Sequence, residues 1–143
     1  MGYGYKKSIA QTVLPPVKGL FPRPGLAPGK LLACANNMLI AWTTVPSKVI
    51  ADKLAASAIT ARLAACVQVE GPIVSHYIWE GVQEKTEEYR LTFKVLSSQS
   101  MALKAWVHAR HPYQVPEWVA VKTEHVAEKY LSWARAGSSN LTL

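Results

Sequence analysis

The side chains best suited to chemistry lie in one short proline-flanked segment. His111, Tyr113 and Glu117 supply an imidazole, a phenol and a carboxylate, with a proline after His111 and another before Glu117. Each proline disfavours helical backbone in the residue before it, so the chain must leave any preceding helix near Arg110 and continue extended. Stiff loops on a rigid scaffold often carry function. The segment is therefore either a candidate site or a proline-rigidified helix end with an incidental histidine.

The rest of the sequence offers little catalytic chemistry. It contains no glycine-rich phosphate loop, no HExxH motif and no nucleophile elbow. Cys66 lies in an apolar stretch that is typical of a small buried residue. His108 and His111 are three positions apart, which is a weak metal signal without a thiolate or carboxylate nearby. We therefore predict that the protein is not an enzyme.

The spacing of apolar residues predicts the elements that must position the loop. Alternating or continuous apolar runs predict strands, and spacings of three and four predict helices. Strands are predicted at 38–44, 65–70, 73–80, 89–95 and 118–122, and helices at 48–63, from Ser97 or Ser98 to just before Pro112, and at 125–136. The polar stretch 81–87 is predicted to be a hairpin connection longer than a tight turn.

This order of elements narrows the fold class. If segments 65–70 and 73–80 form one strand bent at Gly71 and Pro72, the order becomes βαββαβ with an extra C-terminal helix. That order predicts an α+β, ferredoxin-like fold, in which helices cover one face of an antiparallel sheet around a long central hairpin.

Charge and composition separate an N-terminal arm from this domain. Six of the sixteen Lys and Arg residues, and no Asp or Glu, lie in the first 51 residues, so most of the net charge of +7 belongs to the arm. We predict a basic Pro/Gly-rich arm at 1–37, the domain at 38–136 and a flexible tail at 137–143. Without a basic face on the domain, nucleic acid is not an expected partner.

The compartment is predicted from the cysteines and from hydropathy. No apolar run is long enough for a membrane span, so no membrane partner is expected. Two cysteines form neither a disulfide scaffold nor a CxxC motif, which favours a reducing compartment such as the cytoplasm. An organelle is the alternative if the arm is a transit peptide.

Four motifs in order resemble one known family. RLAACV at 62–67, YIWEG at 77–81, HPYQVPE at 111–117 and YLSW at 130–133 resemble the CutA family of divalent-cation tolerance proteins. The resemblance runs from about Met38 to Trp133. It implies a ferredoxin-like fold, a homotrimer and a role in the response to divalent metal ions, copper among them. An alternative is a small-ligand binding or signalling trimer similar to the PII proteins, with an intersubunit cleft.

The resemblance also suggests site residues. The candidate cleft residues are His111, Tyr113, Glu117, Lys94 and Trp79. We expect Glu117 to be partly buried. It should either meet Lys94, of the same or another subunit, or accept a hydrogen bond from Tyr113 or His111, and its role is then an interface ion pair or a ligand anchor.

A metal site is the remaining cofactor candidate. Bacterial members of the family are reported to hold copper through a cysteine at the end of the first strand and a His-His pair before the Pro-Tyr. In this sequence Thr43 matches the cysteine and Arg110-His111 matches the pair. Soft metals need thiolate or imidazole ligands, so His111 alone remains. We expect a degenerate copper site, with copper or another divalent cation bound weakly if at all.

Overall fold

A computed structural model describes residues 37–138. Its elements are β1 (Met38–Val45), α1 (Lys48–Thr60), β2 (Cys66–Trp79), β3 (Val82–Leu96), a 3-10 helix (Ser97–Gln99), α2 (Ser100–Arg110), β4 (Val119–Lys122) and α3 (Glu128–Ser138). The predicted arm lies outside the described residues except for Asn37, and so does the tail beyond Ser138.

The four strands form one antiparallel sheet in the order β2-β3-β1-β4. Two strand pairs that are distant in sequence, β1 with β3 and β1 with β4, bring the chain after α2 beside the first strand. This is the predicted ferredoxin-like arrangement, which is therefore confirmed. Among the described residues, no helix is both long enough and apolar enough to cross a membrane.

The main core lies between one face of the sheet and helices α1 and α2. Alternation along β1 and β3 turns every second side chain towards these helices. The fully buried members are Ala41, Val45, Leu91, Phe93 and Val95 from the strands, with Ala51, Ala58, Leu103 and Val107 from the helices. Ser47 caps α1 through a 3.3 Å hydrogen bond that its hydroxyl accepts from the Ile50 amide.

Helix α3 packs on the opposite face of the sheet. Met38 and Leu96 are register partners and point away from the main core, where they form a second cluster with Leu131 and Ala134 of α3. The helix begins at Glu128, later than the predicted 125, and continues to Ser138.

The two segments predicted at 65–70 and 73–80 form one strand, β2, which bends at Gly71 and Pro72 as predicted. The register of β2 with β3 shifts between Glu70 and Ile73, so the strand takes up an extra residue there. Gly71 has a φ of 151°, and a Cβ on it would lie 2.7 Å from Cδ1 of Tyr89. A side chain at residue 71 would therefore collide with the neighbouring strand.

The prediction of a long connection at 81–87 is wrong. The ladder continues to the Trp79–Val82 pair, which leaves only Glu80 and Gly81 in the turn. Both residues have positive φ, 49° and 80°, as a tight hairpin turn requires. The sequence does not predict this turn because most side chains of the outer half of the hairpin, residues 74–87, are exposed. Polar residues can then lie on both of its faces, and no apolar alternation marks the strand.

Candidate functional site

The proline-flanked loop leaves α2 at His111 and crosses the core-side face of β1. His111 is already extended, with φ −75° and ψ 138°, as Pro112 requires of the residue before it. On β1, Thr43 is register partner of Leu91 and shares the buried face. The fold thus places the His111 ring over a fully buried hydroxyl.

Both ring nitrogens of His111 are occupied by hydrogen bonds. Nδ1 accepts from the backbone N–H of Tyr113 at 3.1 Å, and Nε2 lies 3.1 Å from Oγ1 of Thr43. The Thr43 hydroxyl donates its own proton to the carbonyl of Glu117 at 2.8 Å. In the contact between His111 and Thr43, Nε2–H must therefore be the donor and Oγ1 the acceptor. Because Nδ1 accepts and so carries no proton, the ring is the neutral Nε2–H tautomer. Burial lowers the pKa of His111 below its ordinary value, in agreement with a neutral ring.

A second hydrogen-bonded group lies where Tyr113 meets the long hairpin. The Tyr113 hydroxyl donates to Oε1 of Glu88 at 2.9 Å, and the Ser75 hydroxyl donates to Oε2 at 2.6 Å. Glu88 is only 7% exposed. Burial, and then the hydrogen bond to Glu88, raises the pKa of Tyr113 well above its usual range, so the phenol stays protonated. Thr86 is the register partner of Ser75 and therefore lies on the same face of the hairpin. We name Ser75, Thr86, Glu88 and Tyr113 the Glu88 cluster.

Glu88 is a residue that the sequence analysis missed. It lies next to the stretch 81–87, whose polar composition predicts a loop, and a carboxylate beside a loop is expected to be exposed. A strand that begins at Val82 would have been the signal, because one of the two neighbouring carboxylates Glu87 and Glu88 must then point inward.

Glu117 does not behave as predicted within the chain. Its side chain is exposed and makes no hydrogen bond or ion pair with any of the described residues, whereas its backbone carbonyl accepts from Thr43. The predicted contacts of its carboxylate with Tyr113, His111 and Lys94 are therefore absent between residues 37 and 138. The reason is that the loop is held through its backbone, which leaves the side chain in solvent.

Lys94 and Trp79 lie away from the loop in the same chain. Lys94 is next to the core residue Phe93 and points to the other face of the sheet, where its Nζ lies 5.8 Å from the ring centre of Tyr130. Trp79 ends β2, six residues beyond Ile73, the register partner of Glu88. At about 3.3 Å per residue, Trp79 is roughly 20 Å along the hairpin. Neither can join His111 without a second chain.

The residues present do not fit a soft-metal site. Thr43 supplies a hydroxyl that already makes two hydrogen bonds, and neither nitrogen of His111 is left as a ligand. The guanidinium of Arg110 stacks on the Trp106 ring at 4.5 Å and donates to the carbonyl of Trp106. Within the described part of the chain, no three His, Cys, Asp or Glu side chains are grouped as metal ligands.

Comparison with known proteins identifies the family. The family model described as CutA1 divalent ion tolerance protein matches residues 39–137, which includes all the helices and strands except the first residue of β1 and the last of α3. The chain belongs to the CutA1 family. A divalent-cation tolerance protein CutA from Yersinia pestis is 35% identical over 101 residues, which cover 71% of this chain and 85% of that protein.

Solved CutA structures agree with the fold. CutA1 from Oryza sativa is 34% identical, with a TM-score of 0.71 over 75% of this chain and 98% of that one. A CutA from Archaeoglobus fulgidus, described as a periplasmic divalent cation tolerance protein, is 28% identical, with a TM-score of 0.69 over 71% of this chain and 99% of that one. The family assignment made from the four motifs is confirmed.

Proposed function

We propose that this CutA1-family protein acts in tolerance of divalent metal ions, copper included, as a homotrimer. The observation that supports the cellular role is the family match over residues 39–137. The role proposed here is binding and assembly, not catalysis, because neither ring nitrogen of His111 is free to act as a base.

The exposed apolar side chains of the sheet support the assembly. Val74, Ile78 and Val82 lie on the outer half of the hairpin, and Val119 and Val121 lie on β4. Strands β2 and β4 are also the two edges of the sheet, and neither pairs with a further strand among residues 37–138. Long, apolar, unpaired edges favour association. A head-to-tail contact between the two edges would bury them and close into a ring.

The predicted cleft also requires an assembly of more than one chain. His111 and Tyr113 are together in one chain, whereas Lys94 and Trp79 are directed elsewhere. Only residues from a second subunit could complete a cleft containing all five candidates. The exposed carboxylate of Glu117 remains available for such a contact.

Copper tolerance, on this proposal, does not depend on copper bound between Thr43 and His111. These two side chains instead hold the loop against β1 through the hydrogen bonds described above. Cytoplasmic location remains our prediction, supported by the cysteine count of the sequence.

Two measurements test the proposal. Deletion of the gene in its own host should increase sensitivity to copper and other divalent ions, and the wild-type gene should restore growth. Unchanged sensitivity to every metal would contradict the cellular role. Sedimentation equilibrium at micromolar concentration should give three times the chain mass, and a stable monomer would contradict the assembly.

A further inference from the structure

Among the described residues, Glu88 is a buried carboxylate without a positive partner. No Lys, Arg or His among residues 37–138 forms a salt bridge with it. Its two hydrogen bonds come from the neutral hydroxyls of Ser75 and Tyr113. A carboxylate has about four acceptor positions, and burying it unpaired is costly. The Glu88 cluster therefore has unused acceptor capacity, and no positive charge among residues 37–138 balances its carboxylate.

The surrounding hydroxyls add acceptors. Ser75 and Tyr113 each donate their proton to Glu88, so only their oxygen lone pairs remain for another group. Both side chains are half-buried, which places them between the carboxylate and the solvent. A group that approaches the cluster must consequently donate hydrogen bonds.

Thr86 provides a second, independent observation. Its Oγ1 is buried and has no hydrogen-bond partner in the part of the chain that the structure describes. Thr86 is the register partner of Ser75, and it lies two residues from Glu88 on the same strand, so all three side chains share one face. Buried hydroxyls are nearly always hydrogen-bonded in folded proteins. The Thr86 hydroxyl therefore has unused hydrogen-bonding capacity on the same face of the hairpin as Glu88.

We propose that the Glu88 cluster binds a singly charged nitrogen cation, an alkylammonium or guanidinium group. A single carboxylate neutralises one positive charge, and the three N–H donors of an ammonium match an acceptor set of Glu88, Ser75 and Thr86. Divalent ions are less suited, because the cluster offers one carboxylate and otherwise only neutral oxygens.

This group has two possible sources, which share the same chemistry. It is either part of a small amine-bearing molecule or a Lys or Arg side chain of a second copy of the chain. The second source rests on the proposed trimer, whereas the first does not. Binding and assembly are therefore measured separately.

The experiment compares Glu88→Gln with the matched control Glu87→Gln. Glu87 is the adjacent residue, is exposed and points to the opposite face of the strand. The full chain is titrated with ethylammonium chloride against sodium chloride of equal ionic strength, and amide chemical shifts are followed by NMR. The small-molecule source predicts saturable shifts at Ser75 and Thr86 in the wild type and in Glu87→Gln. Glu88→Gln should bind about tenfold more weakly, the loss expected for one charge-assisted hydrogen bond.

The second-copy source predicts a different pattern. Ethylammonium would not bind the assembled protein, and Glu88→Gln, but not Glu87→Gln, would weaken association at least tenfold in sedimentation equilibrium. If the wild type is monomeric but binds ethylammonium, the trimer fails and the cation site stands. If Glu88→Gln matches Glu87→Gln in both binding and association, the site proposal is overturned.

Thr86→Val is a second test variant, needed because Glu88→Gln could lose binding simply by unfolding. The substitution keeps the shape and removes a hydroxyl that has no partner among residues 37–138 of the free chain, so stability should be unchanged or higher. A cation that uses this hydroxyl should bind or associate several-fold more weakly. Unchanged ethylammonium affinity together with unchanged association in Thr86→Val would remove the hydroxyl from the proposed site, leaving Glu88→Gln to decide the rest.

Discussion

The proline-flanked loop takes part in two hydrogen-bonded groups, and these differ in how completely their polar groups are paired. In the group around His111 every polar atom has a hydrogen-bond partner: both ring nitrogens, the Thr43 hydroxyl and the Glu117 carbonyl. At Tyr113 the network ends on the buried carboxylate of Glu88, which has no positive partner among residues 37–138. The buried Thr86 hydroxyl on the same face has no hydrogen-bond partner in that range either. The comparison indicates that the first group holds the loop in place and that the second has capacity to bind.

The largest expected effect comes from breaking the His111 group at its centre. Thr43→Val keeps the shape but leaves His111 Nε2–H and the Glu117 carbonyl without partners. We expect a loss of about 2–4 kcal/mol in the free energy of unfolding, because each unpaired buried group costs roughly 1–3 kcal/mol. Urea unfolding at fixed protein concentration measures it. Thr92→Val, on the other face of the same sheet, is the control, and an equal loss in both variants would contradict a special role for Thr43.

A smaller loss is expected at the other group. Tyr113→Phe removes one half-buried hydrogen bond to Glu88 and should cost about 1.5–2 kcal/mol, the lower part of the range for a bond to a charged group. Ionisation of Tyr113 should make the wild type less stable at alkaline pH, and Tyr113→Phe should not show this part of the loss. The folded state holds this phenol proton more tightly than the unfolded state, so stability falls as the pH rises above about 10. An unchanged pH profile between pH 9 and 11 would contradict the contact.

Acid should weaken the His111 group selectively. The pKa of His111 is lowered in the folded protein, so the unfolded state takes up the proton first as the pH falls below about 6.5. Stability contributed by the neutral ring is present above that pH and is lost below it. His111→Gln should flatten the dependence between pH 5 and 7, whereas His76→Gln, at an exposed residue, should not. Equal slopes in the wild type and His111→Gln would refute the assignment of a neutral, paired ring.

The smallest effect is expected at Glu117. Its side chain is solvent-exposed and unpaired within residues 37–138, so Glu117→Gln should change the stability of the folded chain by no more than about 0.5 kcal/mol. A much larger loss that depends on protein concentration would show instead that the carboxylate contacts another subunit, as first predicted.

The sequence predicted the fold better than it predicted the site. Alternation at 89–95 and helical spacing at 48–63 exist because these elements bury one face against a core, so they leave a pattern. The loop could be predicted because two prolines dictate its backbone. Glu88 could not, since nothing local distinguishes it from Glu87, and its partner Tyr113 is 25 residues away. Glu117 misled for a similar reason, because the loop is fastened by its carbonyl, and carbonyls have no sequence signature.

Thr43, Arg110 and His111 match the three copper ligands of bacterial relatives, and their side chains show what family membership alone does not predict. Family membership alone would suggest a metal at His111, whereas Thr43 and Arg110 remove two ligands and the hydrogen bonds occupy the third. Restoring the ligands with Thr43→Cys and Arg110→His should create a Cu(II) site.

Titration of the wild type and His111→Ala with Cu(II), in competition with a chelator of known affinity, tests the central claim most directly. If His111 holds the loop and does not bind metal, the two proteins will show the same copper stoichiometry and affinity. A tight stoichiometric site in the wild type that His111→Ala abolishes would contradict the account.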